Sequence, residues 1–160
     1  MKRTLQEWDL FQLKLAKHYS TMSRDPSTKV GAVVTDMDSK FVYGLGYNGF
    51  PNDIPDTEEH LNNREFKYKH IVHAEVNALG MSSQFVGDVS GPLTLFVYPF
   101  LPCLHCAQTI VEDYPFVTRI VSLDYSPERW SSEFQDSKRL FEQCDIEVTL
   151  YPYKTIGVES

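Results

Sequence analysis

Two short motifs in this 160-residue chain carry side chains able to bind a metal and move a proton. The first is His73-Ala74-Glu75 in "HIVHAEVNAL"; the second is Cys103 and Cys106 in "PCLHC". Two positions apart in a helix lie roughly 200° apart at about 3.6 residues per turn, so inside a helix His73 and Glu75 could not serve one site. The conflict disappears if His73 opens the helix. Its side chain then points off the helix end, and Glu75 approaches the same place from the first turn. Cys103 and Cys106 have the spacing of a zinc half-site. They also stand at the predicted start of another helix, where free N–H groups and the helix dipole favour thiolate over thiol. One imidazole and two sulfurs supply three ligands, which leaves a tetrahedral Zn²⁺ a position for water and so marks a catalytic site. Glu75 beside that position can take a proton from water and hand it to a leaving group.

Each motif alone has a plainer explanation: a satisfied core histidine, a redox or structural Cys pair, a solvated helix charge. Their combination, with each motif opening a helix, is what makes the catalytic reading specific. His105 lies inside the Cys-x-x-Cys turn, where its side chain should point away from the metal. Cys144 falls on the apolar face of the last predicted helix and is expected to be a buried structural thiol. His18, His60 and His70 have no partner identifiable from the sequence.

The elements that must position these residues can be read from periodicity. Thr4 and Glu7 are spaced as a capping box. Leu5, Trp8, Leu15, Tyr19 and Met22 then recur at helical spacing, predicting an amphipathic first helix. "VGAVVTD" and "FVYGLGY", joined by "MDSK", read as an antiparallel hairpin. Residues 48–64 read as loop, and residues from about 66 to 81 as helical. "LTLFVY" is a strand, "CLHCAQTIVED" a helix stopped before Pro115, and "TRIVSLDY" a further strand. "SSEFQDSKRLFEQC" is an amphipathic helix with Phe134, Leu140, Phe141 and Cys144 inward, and "IEVTLY" closes the series. The order α-β-β-α-β-α-β-α-β predicts an α/β fold, a three-layer α-β-α domain with about five strands in a mixed sheet. The hairpin comes first and the later strands run parallel through right-handed crossovers. One domain is expected over residues 1–160, with its core at about 5–150.

An apolar fraction of 42%, a charged fraction of 23% and a net charge of −7 describe an ordinary globular chain. The acidic balance argues against sequence-independent nucleic-acid binding, which depends on lysine and arginine neutralising phosphates. No apolar run approaches the roughly 20 residues of a membrane span. A cytoplasmic protein is expected, in a host cell if the gene is viral, with no nucleic-acid or membrane partner. Three cysteines then read better as ligands or thiols than as disulfides.

The paired pattern His-x-Glu and Pro-Cys-x-x-Cys is that of zinc-dependent nucleobase deaminases. Over roughly residues 5–150 the chain resembles the deoxycytidylate (dCMP) deaminases of that superfamily. The resemblance rests on "SRDPSTKVGAVV", "GYNGFP", "REFKY" with "VHAEVNAL", "PFLPCLHCAQTIV" and "SPERW" with "LFEQCDIEV". One departure is Gln108, where the family commonly has lysine; it lies beyond the ligands. The resemblance implies hydrolytic deamination of dCMP to dUMP and ammonia, supplying dUMP for dTTP synthesis. Zinc would be held by His73, Cys103 and Cys106, with Glu75 as the proton carrier. By similarity the Ala74 backbone contacts the base edge, Asn48 the deoxyribose 3′-hydroxyl, and Tyr125 lines the nucleotide pocket. A nucleotide substrate also needs groups for its 5′-phosphate. Arg24 and Lys29 could supply charge and Ser23 and Thr28 hydroxyls, although a solvated loop is an equal reading.

The resemblance further implies a homohexamer activated by dCTP and inhibited by dTTP, with Mg²⁺ accompanying the triphosphate. Gly49, Phe50, Arg64 and Lys67 would carry that effector site. Gly44, Gly46 and Gly49 permit close backbone approach to a ligand, and hairpin geometry explains them equally well. The rival readings are a free cytidine or deoxycytidine deaminase and a tRNA adenosine deaminase. Another class again is a zinc-stabilised nucleotide sensor without catalysis, which would have no use for Glu75.

Overall fold

In the computed structural model, residues 1–85 and 91–156 are described; the expected domain limit at residue 160 lies outside them. Five strands form one sheet: β1 (Gly31–Asp36), β2 (Val42–Tyr47), β3 (Leu93–Tyr98), β4 (Val117–Asp124) and β5 (Glu147–Pro152), in the order β2-β1-β3-β4-β5. β1 is antiparallel to both β2 and β3, whereas β3, β4 and β5 run parallel. The expected mixed sheet is therefore present. Alternation along the strands divides the core in two. Ala32, Val34, Leu95, Val97 and Ile120 face one side, while Val33, Phe96 and Val121 face the other.

Helix α1 (Leu5–Ser20) covers the second side, and its capping box forms as expected. Glu7 N–H donates to Thr4 Oγ1 at 3.1 Å, and Thr4 N–H to Glu7 Oε2 at 2.6 Å. Its buried stripe differs from the one predicted. Asp9, Gln12, Leu13, Ala16 and Ser20 face the sheet, while Leu5 and Met22 are exposed. The helix turns this way because two features outweigh its larger apolar groups. Ala16 and Ser20 allow the backbone to lie against Gly31, where any Cβ would collide with the Ala16 carbonyl. Asp9, fully buried, is gripped by the two terminal guanidinium nitrogens of Arg119 at 2.9 and 2.6 Å, by Tyr151 Oη at 2.6 Å and by Ser39 Oγ at 2.7 Å. One carboxylate thus ties α1 to β4, β5 and the β1–β2 turn, whose Ser39 has a left-handed φ of 62°.

The opposite side carries α4 (Ala74–Ser82), α5 (Leu104–Asp113) and α6 (Ser131–Gln143). Gly44 and Gly46 of β2 have a use that the sequence did not reveal. A Cβ at either would strike the α4 backbone at Ala78 or Ala74, so these glycines seat a helix rather than a ligand. The helix expected over 66–81 is broken into α3 (Arg64–His70) and α4, and a short α2 (Glu58–Asn62) occupies part of the expected loop. Phe134 and Phe141 of α6 are buried as expected, but Cys144 is exposed at the helix C-terminus. It has passed the point where the helix still faces the sheet.

Burial alone would raise the Asp9 carboxyl, but hydrogen bonds from Arg119, Tyr151 and Ser39 outweigh it and hold Asp9 below the usual range. Its stabilisation is present above the ordinary carboxyl value and is lost as pH falls through the lower folded value. Asp9→Ala strips the largely buried Arg119 of its bidentate partner, leaving Thr149 and the exposed Glu147 at 3.9 Å, so it should cost about 3–5 kcal/mol. Urea unfolding at neutral pH measures this; an unchanged midpoint would show that the pair does not hold α1.

Candidate active site

The break between α3 and α4 places His73. Ile71 is extended (φ −70°, ψ 134°), and Val72 pairs with Gly49 through N–H···O bonds of 2.8 and 3.1 Å in an isolated bridge. His73 follows as the N-cap of α4, again extended, with no capping bond from its side chain. The imidazole instead turns towards the second motif. Its Nδ1 lies 3.0 Å from Cys106 Sγ and 3.7 Å from Cys103 Sγ. Cys103 is itself the N-cap of α5, its sulfur accepting from Cys106 N–H at 3.4 Å. Two helix starts, both at the ends of extended segments, therefore converge.

The ligand atoms of His73, Cys103 and Cys106 all lie within 4.8 Å of one another, and among the described residues no fourth His, Cys, Asp or Glu joins that group. Zinc bonds of about 2.3 Å to sulfur and 2.0–2.1 Å to nitrogen can span the two observed N···S separations. Imidazole with two thiols is also the donor chemistry that zinc prefers. The residues present therefore fit a zinc ion. Glu75, 3% exposed, sits in the first turn of α4 on the wall of the same cleft.

The charges are strongly coupled. The Cys103 thiol is pulled down to about 4, first by its hydrogen bonding with Cys106 and then by His73. The Cys106 thiol is pushed up, chiefly by the adjoining Cys103. His73 rises to about 9. Cys106 is nearer the imidazole, but Cys103 carries the charge and so holds the proton there most strongly. Burial raises the Glu75 carboxyl, and His73 opposes the rise. Such a carboxyl is suited to both accepting and returning a proton.

The cleft has a volume of about 530 Å³. Asn48, Ala74 and Thr28, expected at the substrate, line it, and so do Arg64 and Lys67, which were expected at a separate effector site. Asn48 also builds its wall: Nδ2 donates to Thr28 O and Oδ1 accepts from Val30 N–H, both at 2.9 Å. The other phosphate candidates fall elsewhere. Arg24 and Lys29 line a separate depression with Ser23, whose hydroxyl is occupied by Asn48 O at 2.8 Å. The basic residues in the cleft are instead Arg64 and Lys67 of α3. Lys67 Nζ pairs with Asp25 at 2.9 Å and meets Ser27 Oγ at 3.2 Å.

Tyr125 is 40% exposed and stacks on Tyr153 at 4.6 Å and Phe100 at 6.3 Å; Phe100, not Tyr125, lines the cleft. Gly49 and Phe50 lie outside the cleft lining, Phe50 edge-on to Phe66 at 5.6 Å. His60 and His70, left without partners by the sequence, stack on Phe66 at 4.2 Å each. His105 stays outside the three-donor group, as expected, although it lines the cleft. Sequence reasoning missed Phe100, Trp130 and Glu133 as lining residues. None has a local spacing signal, because α6 and the segment after β3 meet only in the folded chain.

A buried carboxylate beside three metal donors, opening into a cleft where β3 ends, defines a metal-dependent hydrolytic site on a three-layer α/β scaffold. Residues 6–121 match the cytidine and deoxycytidylate deaminase zinc-binding region. An uncharacterized deaminase in the luxG 3′ region of Aliivibrio fischeri is 32% identical, over 92% of this chain and 96% of its own length. The mouse deoxycytidylate deaminase is 35% identical over 66% of this chain and 60% of its own length. The cyanophage S-TIM5 dCMP deaminase superposes with a TM-score of 0.66 at 22% identity, over 94% of this chain and 99% of that one, a likeness of fold. This chain belongs to the cytidine and deoxycytidylate deaminase family.

At neutral pH the metal-free cluster keeps protons on His73 and Cys106 but not on Cys103. Zinc uptake should therefore release about two protons, with affinity climbing as pH rises. An indicator dye in weak buffer during a zinc titration reads this; uptake without proton release would contradict the donor assignment.

Proposed function

We propose that this chain deaminates dCMP hydrolytically, giving dUMP and ammonia. The observation that carries the reading is the buried Glu75 beside the His73, Cys103 and Cys106 donors in a cleft that also holds two basic residues. Zinc held by those three residues would activate water at neutral pH. Glu75 would take one proton from the attacking water and deliver it to N3 of the cytosine, then pass the remaining proton, from the hydroxyl added at C4, to the departing amino nitrogen. Ammonia leaves from C4, and the water oxygen remains as the O4 of uracil. The Ala74 backbone, at the start of α4, supports contact with the base edge. Asn48 keeps one amide hydrogen beyond its bond to Thr28, and this is the group for the 3′-hydroxyl.

A nucleotide is favoured over a nucleoside because Arg64 and Lys67 share the cleft with Glu75. Arg64 has donors to spare for a phosphate after holding Tyr68 Oη at 3.0 Å. That the mouse relative is a deoxycytidylate deaminase supports the same choice. We extend the reading to a cytoplasmic homohexamer activated by dCTP and inhibited by dTTP, with Mg²⁺ accompanying the triphosphate. Support for that extension is family membership alone. Its test is the rate curve against dCMP, which should be sigmoidal and become hyperbolic with dCTP; a hyperbola unmoved by dCTP or dTTP would remove it.

Ammonia release from dCMP, deoxycytidine, dCTP and a tRNA anticodon stem-loop separates the rival substrates. The expected result is turnover of dCMP and little of deoxycytidine; the reverse would move the assignment to a nucleoside deaminase. Glu75→Gln should keep the fold and zinc while lowering kcat by roughly 10²–10⁴, the usual contribution of general acid–base catalysis. Zinc-loaded wild-type protein that binds dCMP without releasing ammonia would favour a sensor instead.

A further inference from the structure

Helix α6 carries a carboxylate that the proposed reaction does not use. Glu133, in the first turn of α6, is half-buried and lines the cleft. Its Oε1 accepts a hydrogen bond of 3.3 Å from the backbone N–H of Leu104. Leu104 is the first residue of α5, directly after Cys103. The first N–H groups of any helix lack intrahelical partners and must be met from outside. In α5 the N-cap sulfur of Cys103 meets the Cys106 N–H, yet that same sulfur is one of the three metal donors. A cap that must also bind a metal cannot by itself fix the turn that presents it. Glu133 supplies an anchor for that turn from outside the donor set. Further along α6, Ser137 Oγ donates to the Glu133 carbonyl at 3.1 Å, an ordinary bond within the helix.

From this geometry we infer that Glu133 is a positioning residue, holding the Leu104 amide so that Cys103 and Cys106 are presented together to the metal. It acts by the reach of its acceptor oxygen. The inference rests on the zinc reading of the three-donor group, and the experiment separates the two. Zinc affinity is measured by chelator competition on wild type, Glu133→Asp, Glu133→Gln and Ser137→Ala, with circular dichroism of each metal-free protein. Aspartate keeps the charge but is one methylene too short; glutamine keeps an acceptor at the same reach without the charge. Glu133→Asp should bind zinc roughly 10–100-fold more weakly, the range for partners that orient metal ligands. Glu133→Gln and Ser137→Ala should stay close to wild type.

Undiminished affinity in Glu133→Asp would overturn the inference. So would a Glu133→Gln as weak as Glu133→Asp, because charge would then be the active property. A Ser137→Ala as weak as Glu133→Asp would overturn it too, by tracing the effect to general loosening of α6. Wild-type protein that takes up no zinc would sink the metal reading and this inference with it, a result distinct from the other three.

Discussion

Three donor atoms from segments some thirty residues apart have to meet within a few ångströms, and the fold achieves this through helix starts. A side chain in the middle of a helix is committed to one face. A side chain at the N-cap leaves the helix end, and its backbone is still extended. His73 and Cys103 both occupy that position, on α4 and α5. Each loses or shares its capping role in consequence: His73 makes no side-chain cap bond, and the Cys103 sulfur divides its attention between Cys106 N–H and the donor cluster. Local helix stability is given up so that the two ends can face each other. Everything that seats α4 and α5 on the sheet serves this meeting. The glycines of β2 let α4 approach at backbone distance, and Val72 bridges to Gly49 just before the helix begins.

The other side of the sheet has no part in the chemistry but limits how far the scaffold can shift. Asp9 reaches from α1 into a site with Arg119, Tyr151 and Ser39, and β4 and β5 hold the first two. A buried ion pair is weak evidence for stability in itself, because desolvation can cancel the attraction. Its effect here is geometric. A bidentate carboxylate–guanidinium contact accepts only one orientation of the helix. Small residues at Ala16 and Gly31 then allow that orientation to close at short range. The strand β4 that holds Arg119 also pairs with β3, from whose end the Cys-x-x-Cys segment departs.

Strand alternation and motif spacing made the sheet and the donor set legible in the sequence, since both depend on neighbours a few residues apart. The capping box was legible for the same reason. The stripe of α1 was not. Counting apolar residues favoured Leu5 and Met22, whereas packing was decided by a carboxylate whose partner lies 110 residues away. Cys144 misled in a similar way: its helical phase points inward, but the helix ends there and the thiol meets solvent. Periodicity runs residues 66–81 together as helical, whereas the pairing of His73 with Glu75 requires a helix start at His73, and the structure has that start. The break at Ile71–His73 comes from Val72 pairing with Gly49, a contact across the fold that no window of sequence contains.

The charges in the cleft carry the last step. Any basic loop near a nucleotide motif is a reasonable source of phosphate ligands, which is why Arg24 and Lys29 suggested themselves. In the fold Asp25, between them, turns the other way. Its carboxylate accepts from Ser27 N–H at 2.8 Å and pairs with Lys67, both side chains nearly buried at 9% and 12% exposure. That pairing draws α3 against the loop and brings Arg64, one turn earlier on the same helix face, to the cleft. Lys67 is thereby already partnered, and Arg64 is left as the cation with free donors. On the proposed reading, the phosphate end of a substrate belongs beside α3 and the base beside His73. On that reading a chain of net charge −7 can still accept an anionic nucleotide, because Arg64 places a cation with spare donors on the cleft wall while Asp25 offsets Lys67.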